Sequence, residues 1–248
     1  VELKSLNKKN KKDNSVVGVF PGATYDTKNR ILKATGAYRL LYRDFIIDAK
    51  ELTYDENTDI IVAGGGVVVS GETLTGNFPE ATLNLKEDKI YFKGPINATY
   101  NELNFTGEQG IYDNVNETFE VLGKAIVTRE TDILEAERAF YTSKTGIVEV
   151  FGKKQKFIYT GEGRELTGNY AKYDVNKNLI EVPDKFEFKY SASSGNGKEG
   201  ANGSGNALVL DTTTQKGTAK NIIINQGKDN LKGNTGELDL MNKIYKLK

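Results

Sequence analysis

The chain has 248 residues, 38% of them hydrophobic, and 34 Lys+Arg balance 34 Asp+Glu to a net charge of zero. That balance offers no basic bias for nucleic acid. Cysteine and histidine are both absent, which excludes disulfides, thiolate nucleophiles, thiolate metal sites and the commonest general base and metal ligand.

In chain order, residues 1–15 come first. They hold Lys4, Lys8, Lys9, Lys11 and Lys12 among Asn and Asp, and read as a flexible polar lead-in. A solvated linker is preferred to a basic stretch behind a signal or anchor. The start at Val1 rather than Met is compatible with a leader removed or left off. No apolar run reaches the about 20 residues of a membrane-spanning helix.

From Ala23 onward one pattern recurs. A short apolar strand ends at Tyr or Leu, a polar turn follows, and a second strand returns. The first half appears as Ala23-Thr-Tyr-Asp26, Leu52-Thr-Tyr-Asp55, Gly110-Ile-Tyr-Asp113, Ala139-Phe-Tyr-Thr142 and Ala171-Lys-Tyr-Asp174. Leucine versions are Leu83-Asn-Leu85, Leu208-Val-Leu-Asp211 and Leu238-Asp-Leu240. With Tyr25, Tyr54, Leu85, Tyr112, Tyr141, Tyr173, Leu210 and Leu240 as markers, the spacings are 29, 31, 27, 29, 32, 37 and 30. A regular period of this length marks a repeat architecture, in which one unit cannot bury its apolar face alone.

The returning strands alternate: Ile60/Val62, Ile90/Phe92, Phe119/Val121, Val148/Val150, Ile180/Val182. Period two means strands with one buried face. Gly36, Gly64, Gly94, Gly123 and Gly152 close them, where the chain can turn a corner with positive φ. More short strands follow each corner, as at Val67–Val69, Phe157–Tyr159 and Leu166-Thr-Gly168. Residues 191–205 (SASSGNGKEGANGSG) read as a flexible insertion. The expected fold is therefore all-β: an elongated β-solenoid of about 30-residue repeats, forming a single domain over 16–248. Val16–Phe20 at one end and Ile244–Leu247 at the other are expected to be edge strands. Such edges could each add a strand to a neighbour.

Other signals are weaker. The turns at 55–59, 113–116 and 174–178 carry Asp and Asn but lack a calcium loop's central Gly and final Glu. Gly64-Gly-Gly66 precedes a strand, not a helix, so it is no phosphate loop. Glu162 and Glu165 are a chance pairing among many carboxylates. No catalytic residue, metal or cofactor is expected, and the protein is not read as an enzyme.

In their order, these motifs resemble the OstA/LptA family. Ala49-Lys-Glu-Leu-Thr-Tyr-Asp55 with Ile60–Gly64, and Gly168-Asn-Tyr-Ala-Lys-Tyr-Asp174 with Leu179–Val182, carry the likeness best. It extends over roughly Ala23 to Lys248, and the Ser/Gly insertion departs from it. Domains of LptC and of the LptD N-terminus are related. The resemblance implies that the elongated solenoid is an open β-jellyroll, and that the protein is a periplasmic bridge, peripheral to membranes, that moves lipopolysaccharide from inner to outer membrane along an apolar groove. Its implied partners are lipopolysaccharide and other Lpt components or further copies of itself, joined end to end through edge strands. A surface β-solenoid adhesin or glycan-binding protein is the alternative, and a solenoid glycan-active enzyme a third class.

The implied groove would be lined by Leu83, Leu85, Ile90, Phe92, Tyr112, Phe119, Val121, Tyr141, Val148, Val150, Tyr173, Ile180 and Val182. Head groups would sit at its lip near Arg129, Arg138 and Lys172. Read from residue types alone, the same apolar residues make a closed, dry core; the resemblance is what favours an open groove.

Overall fold

The computed structural model describes residues 2–5, 16–152, 154–190, 200–242 and 244–248. Among them are twenty-two strands and no helix. The protein is all-β. The chain divides into two compact units, Val1–Leu122 and Gly123–Lys248, where the sequence reads as a single domain.

Within each unit the construction rests on long strands that bend halfway. In Ile31–Tyr42, residues 31–35 pair with 51–55 and residues 38–42 pair with 45–49, and the ladder breaks between Thr35 and Tyr38. Gly36 lies in that break with φ of 92°, a conformation that a side chain resists and glycine accepts. Lys89–Tyr100 repeats the device, with a break between Lys93 and Ile96 and Gly94 at φ of 85°. In Leu179–Tyr190 the break lies between Val182 and Lys185 and holds Pro183, which has no N–H to give to a ladder.

Each bend places the two halves of a strand in two layers that face one another. Phe78 and Phe92, from opposite layers of the first unit, stack with centroids 3.9 Å apart. Phe45 and Tyr112 meet edge to face at 5.2 Å. The alternating residues that point between the layers are the buried ones, as a two-residue period requires.

The polar turns close one layer. Asp26, Asp55, Asp113, Asp174 and Asp211 each accept backbone N–H groups two and three residues on, or two on at Asp55. Asn84 does the same for Lys86 and Glu87. These are Asx turns, so the carboxylates serve the backbone, not an ion. Each turn ends in a left-handed residue: Arg30, Asp59, Asp88, Glu117, Gly146, Asn178, Gln215. Its carbonyl then accepts an N–H from the next turn, as in Glu56 to Arg30, Leu85 to Asp59 and Asn114 to Asp88. The first four spacings between these residues are all 29. The uneven 31 and 27 of the sequence markers arise because Leu85 stands two residues beyond Leu83, the true counterpart of Tyr25 and Tyr54.

Three expectations change. Glu2–Ser5, within the expected flexible lead-in, is a strand that pairs antiparallel with Val16–Val19. The rest of the lead-in lies outside the described residues. Val16–Val19 also pairs with residues 39–42, so it is covered on both sides and is not an edge. Of the expected insertion 191–205, residues 201–205 open the strand Ala201–Asp211, where period-two pairing with residues 186–190 continues through glycines. Residues 191–199 lie outside the described residues. Ile244–Leu247 pairs with residues 236–239, and no pairing on its other side exists among the described residues.

Candidate functional site

All thirteen residues assigned to a groove lie between the layers of their unit, and all are buried, none above 4% exposed. They line a buried interior in each unit. In the first unit the interior is an aromatic network. Phe119 meets Phe92, Tyr100 and Phe105, and Tyr100 meets Tyr112. Edge-to-face contacts of this kind add to the apolar burial itself. In the second unit Val148, Val150, Ile180 and Val182 take the corresponding inward places with 1% exposure or less. Tyr173 joins them with its ring, while its hydroxyl donates to Asp132 at 3.1 Å.

The interior is sealed at the rim opposite the corners, where the turn ends of the two layers meet. In the first unit Asp88 is the junction. The Tyr42 hydroxyl donates to it at 2.5 Å, the Arg43 guanidinium grips both of its oxygens, and the Asn114 amide adds a third partner. Arg43 and Asp88 are both left-handed residues, with φ of 55° and 59°. A turn conformation that is costly for a side-chain-bearing residue is thus held where side chains bridge the layers. Burial, with the hydrogen bond to Asp88, pushes the Tyr42 hydroxyl well above its ordinary range, so it remains a donor.

The second unit bridges its rim with different groups. Arg129 donates to the Val175 carbonyl at 2.7 Å and the Asn178 side chain at 2.6 Å. Asp132 accepts from Tyr159 at 2.7 Å. Burial first, and Asp132 next, raise the Tyr159 hydroxyl far above its ordinary range. Further on, Gln215 of one layer donates to Glu162 of the other.

Beside that last bridge lies Arg164, 4% exposed. Its Nε donates to the Gly161 carbonyl at 3.0 Å and its Nη2 to Glu162 at 3.3 Å. Its Nη1 is buried without a hydrogen-bond partner. An unpaired buried donor costs about 1–3 kcal/mol, more when charged. Arg164 lines a cavity of about 20 Å³ whose other walls include Leu166, Phe186, Phe188, Leu208 and Leu238.

Sequence reasoning passed over these polar groups because it followed the apolar ones. A signal for Arg164 was present: alternation puts it on the face of Leu166 and Gly168, a charged residue in an inward place. The rim residues had no such mark, because turn positions are polar in any case. Of the three cations expected at the lip, only Arg129 is at the rim. Arg138 lies over the Phe151 ring at 4.9 Å and Lys172 pairs across from Glu149, both on an outer face. Glu162 and Glu165 go to separate partners, since Glu165 pairs with Lys189 at 3.1 Å. Among the described residues no group of three or more Asp and Glu is placed to hold a metal. A wider open groove of about 530 Å³ lies outside the layers along Val209, Thr218 and Ile244; four of its charges are paired as Lys216 with Asp239 and Lys246 with Glu237, and the fifth, Asp211, accepts turn N–H groups.

These features define an all-β repeat protein whose units each enclose an apolar interior beneath a polar rim. No family model matches the chain, and no curated protein matches it. Among solved structures it is similar to the crystal structure of LptH, the LptA-homologous periplasmic component of the lipopolysaccharide transport device from Pseudomonas aeruginosa. The identity is 12% and the TM-score 0.29, over 59% of this chain and 94% of that one.

Proposed function

We propose that the protein is a non-enzymatic periplasmic carrier that moves lipopolysaccharide from inner to outer membrane along its apolar interior. The observation that carries this reading is the repetition of equivalent inward rungs within each unit, from Leu83 through Phe119 and from Tyr141 through Val182. The ordered Tyr-Asp and apolar-x-apolar motifs, which resemble the OstA/LptA family, point the same way. Alike rungs bind an acyl chain with similar affinity, so a chain can move along them without a deep trap.

The sealed rim sets a condition: the two layers of a unit must part for lipid to enter. Each buried methylene contributes about 0.8 kcal/mol, so a dozen contribute about 10 kcal/mol. Parting the layers breaks rim bridges such as Arg43–Asp88 and exposes the interior, and the acyl chains must offset both. Partners would join through terminal strands, with Ile244–Leu247 at one end and Glu2–Ser5, not Val16–Phe20, at the other. The test is photocrosslinking from a benzoylphenylalanine at Tyr141 or Phe119 with lipopolysaccharide present. Adducts are expected at these inward sites and at none of the outward ones; absence of any inward adduct would sink the carrier reading.

One observation favours the glycan-binding alternative. Phe151 and Tyr170 lie 5.0 Å apart on an outer face, with Arg138 over the Phe151 and Phe140 rings, and partly exposed aromatics suit sugar faces. Glycan binding abolished by Phe151→Ala, with no inward crosslink, would select it.

A further inference from the structure

We propose that the second unit holds an anionic amphiphile, its oxyanion on the Nη1 of Arg164 and its acyl chain along Leu166, Phe186, Phe188, Leu208 and Leu238. The inference rests on the carrier reading and adds to it a fixed polar anchor inside an otherwise apolar seam.

Three features converge on it. The guanidinium is nine-tenths buried and more, and one of its N–H groups has no partner. Native proteins seldom leave a buried donor unpaired, so such a group calls for an explanation. The wall around it is mostly apolar; of its polar members, Glu165 pairs with Lys189 and the Tyr159 hydroxyl donates to Asp132, and Tyr190 completes the lining. A carboxylate or phosphate with a hydrocarbon tail matches both the unpaired guanidinium nitrogen and the apolar side chains beside it. Finally, the carboxylate that already serves Arg164 is shared: Glu162 also accepts from Gln215. Arg164 is therefore only partly neutralised, and a second oxyanion in a low-dielectric place makes a charge-assisted hydrogen bond there.

The cavity at rest takes one water-sized group, so an acyl chain enters only as the layers separate. The Glu162–Gln215 bridge spans the rim beside Arg164 and breaks in that step. Its release frees Glu162 from Gln215 as Arg164 takes up the incoming oxyanion.

The test is displacement of cis-parinarate fluorescence from the full chain by palmitate, hexadecyl phosphate and methyl palmitate, which share a sixteen-carbon acyl or alkyl chain and differ in head group. Both anions are expected to compete at least about tenfold better than the ester, and the tighter of the two names the head group. Arg164→Met should bring all three within about twofold while leaving the ester unchanged; Arg164→Lys should keep part of the preference. Circular dichroism confirms that the variants fold. A measurement on the unaltered protein stands beside them: the carboxyl of bound 1-¹³C palmitate should titrate below its value in buffer. Equal binding of anions and ester, or an ordinary carboxyl titration, overturns the anchor alone. Lipopolysaccharide binding without palmitate binding does the same. Binding of neither overturns the anchor and the carrier reading together.

Discussion

The two units use one rung to different ends. The first keeps a strict 29-residue spacing between its left-handed turn residues Arg30, Asp59, Asp88 and Glu117, an aromatic interior, and a rim junction at Asp88 with partners from Tyr42, Arg43 and Asn114. The second stretches its spacings, with 32 residues from Gly146 to Asn178 and 37 from Asn178 to Gln215. It has an interior richer in aliphatic side chains and an arginine left with a spare donor. The backbone scheme is common to both. What differs is whether the polar groups within it are satisfied, and that difference separates a place built for stability from the place where we propose a ligand.

The largest expected effect breaks the satisfied side. Asp88→Ala removes the carboxylate that Arg43, the Tyr42 hydroxyl and the Asn114 amide share. It should destabilise the first unit by about 3 kcal/mol in urea unfolding, because a part-buried guanidinium and a buried hydroxyl lose the acceptor they share. The corresponding change in the second unit should do far less. Arg164→Met removes a cation that is only partly paired and leaves Glu162, with half its side chain exposed, to Gln215 and solvent. Stability should stay within about 1 kcal/mol of the parent. A loss as large as that of Asp88→Ala would erase the distinction drawn between the units.

The smallest effect is one of pH. In the first unit the Arg30 guanidinium, then the Tyr25 hydroxyl, hold the Glu56 carboxyl down to about 2 from its ordinary 4.5. A folded-state value below the unfolded one favours folding above pH 4.5, and that contribution is lost as pH falls from 4.5 towards 2. Carboxyl NMR titration should show the low midpoint, and Arg30→Ala should return it to the ordinary range. The pair is exposed, so its effect on stability is screened and small.

Several of these features are legible without coordinates. Alternation at Ile90/Phe92 or Ile180/Val182 places side chains inward, and the structure buries these four; at Ile60/Val62 the same reading fails by one residue, since Ile61 and Ala63 are the buried pair. The Asp-rich turns are correctly turns because Asp and Asn accept nearby backbone N–H groups whatever the tertiary setting. The errors are equally local in origin. A lysine-rich, aromatic-free opening predicts a free tail at Glu2–Ser5, but an uncovered neighbouring strand recruits it. A Gly/Ser run predicts flexibility at 201–205, but its glycines sit in a strand against Phe186 and Phe188.

What the sequence by itself determined is the all-β repeat, its turns and its list of inward residues, since these depend on periods of two and about thirty that are written along the chain. Only the tertiary structure decided that the interior is sealed, and by what. Tyr42, Arg43 and Asp88, or Glu162, Arg164 and Gln215, lie as many as 53 residues apart and come together only when two layers face each other. Whether a buried donor finds a partner is a property of that three-dimensional meeting, and no local pattern encodes it.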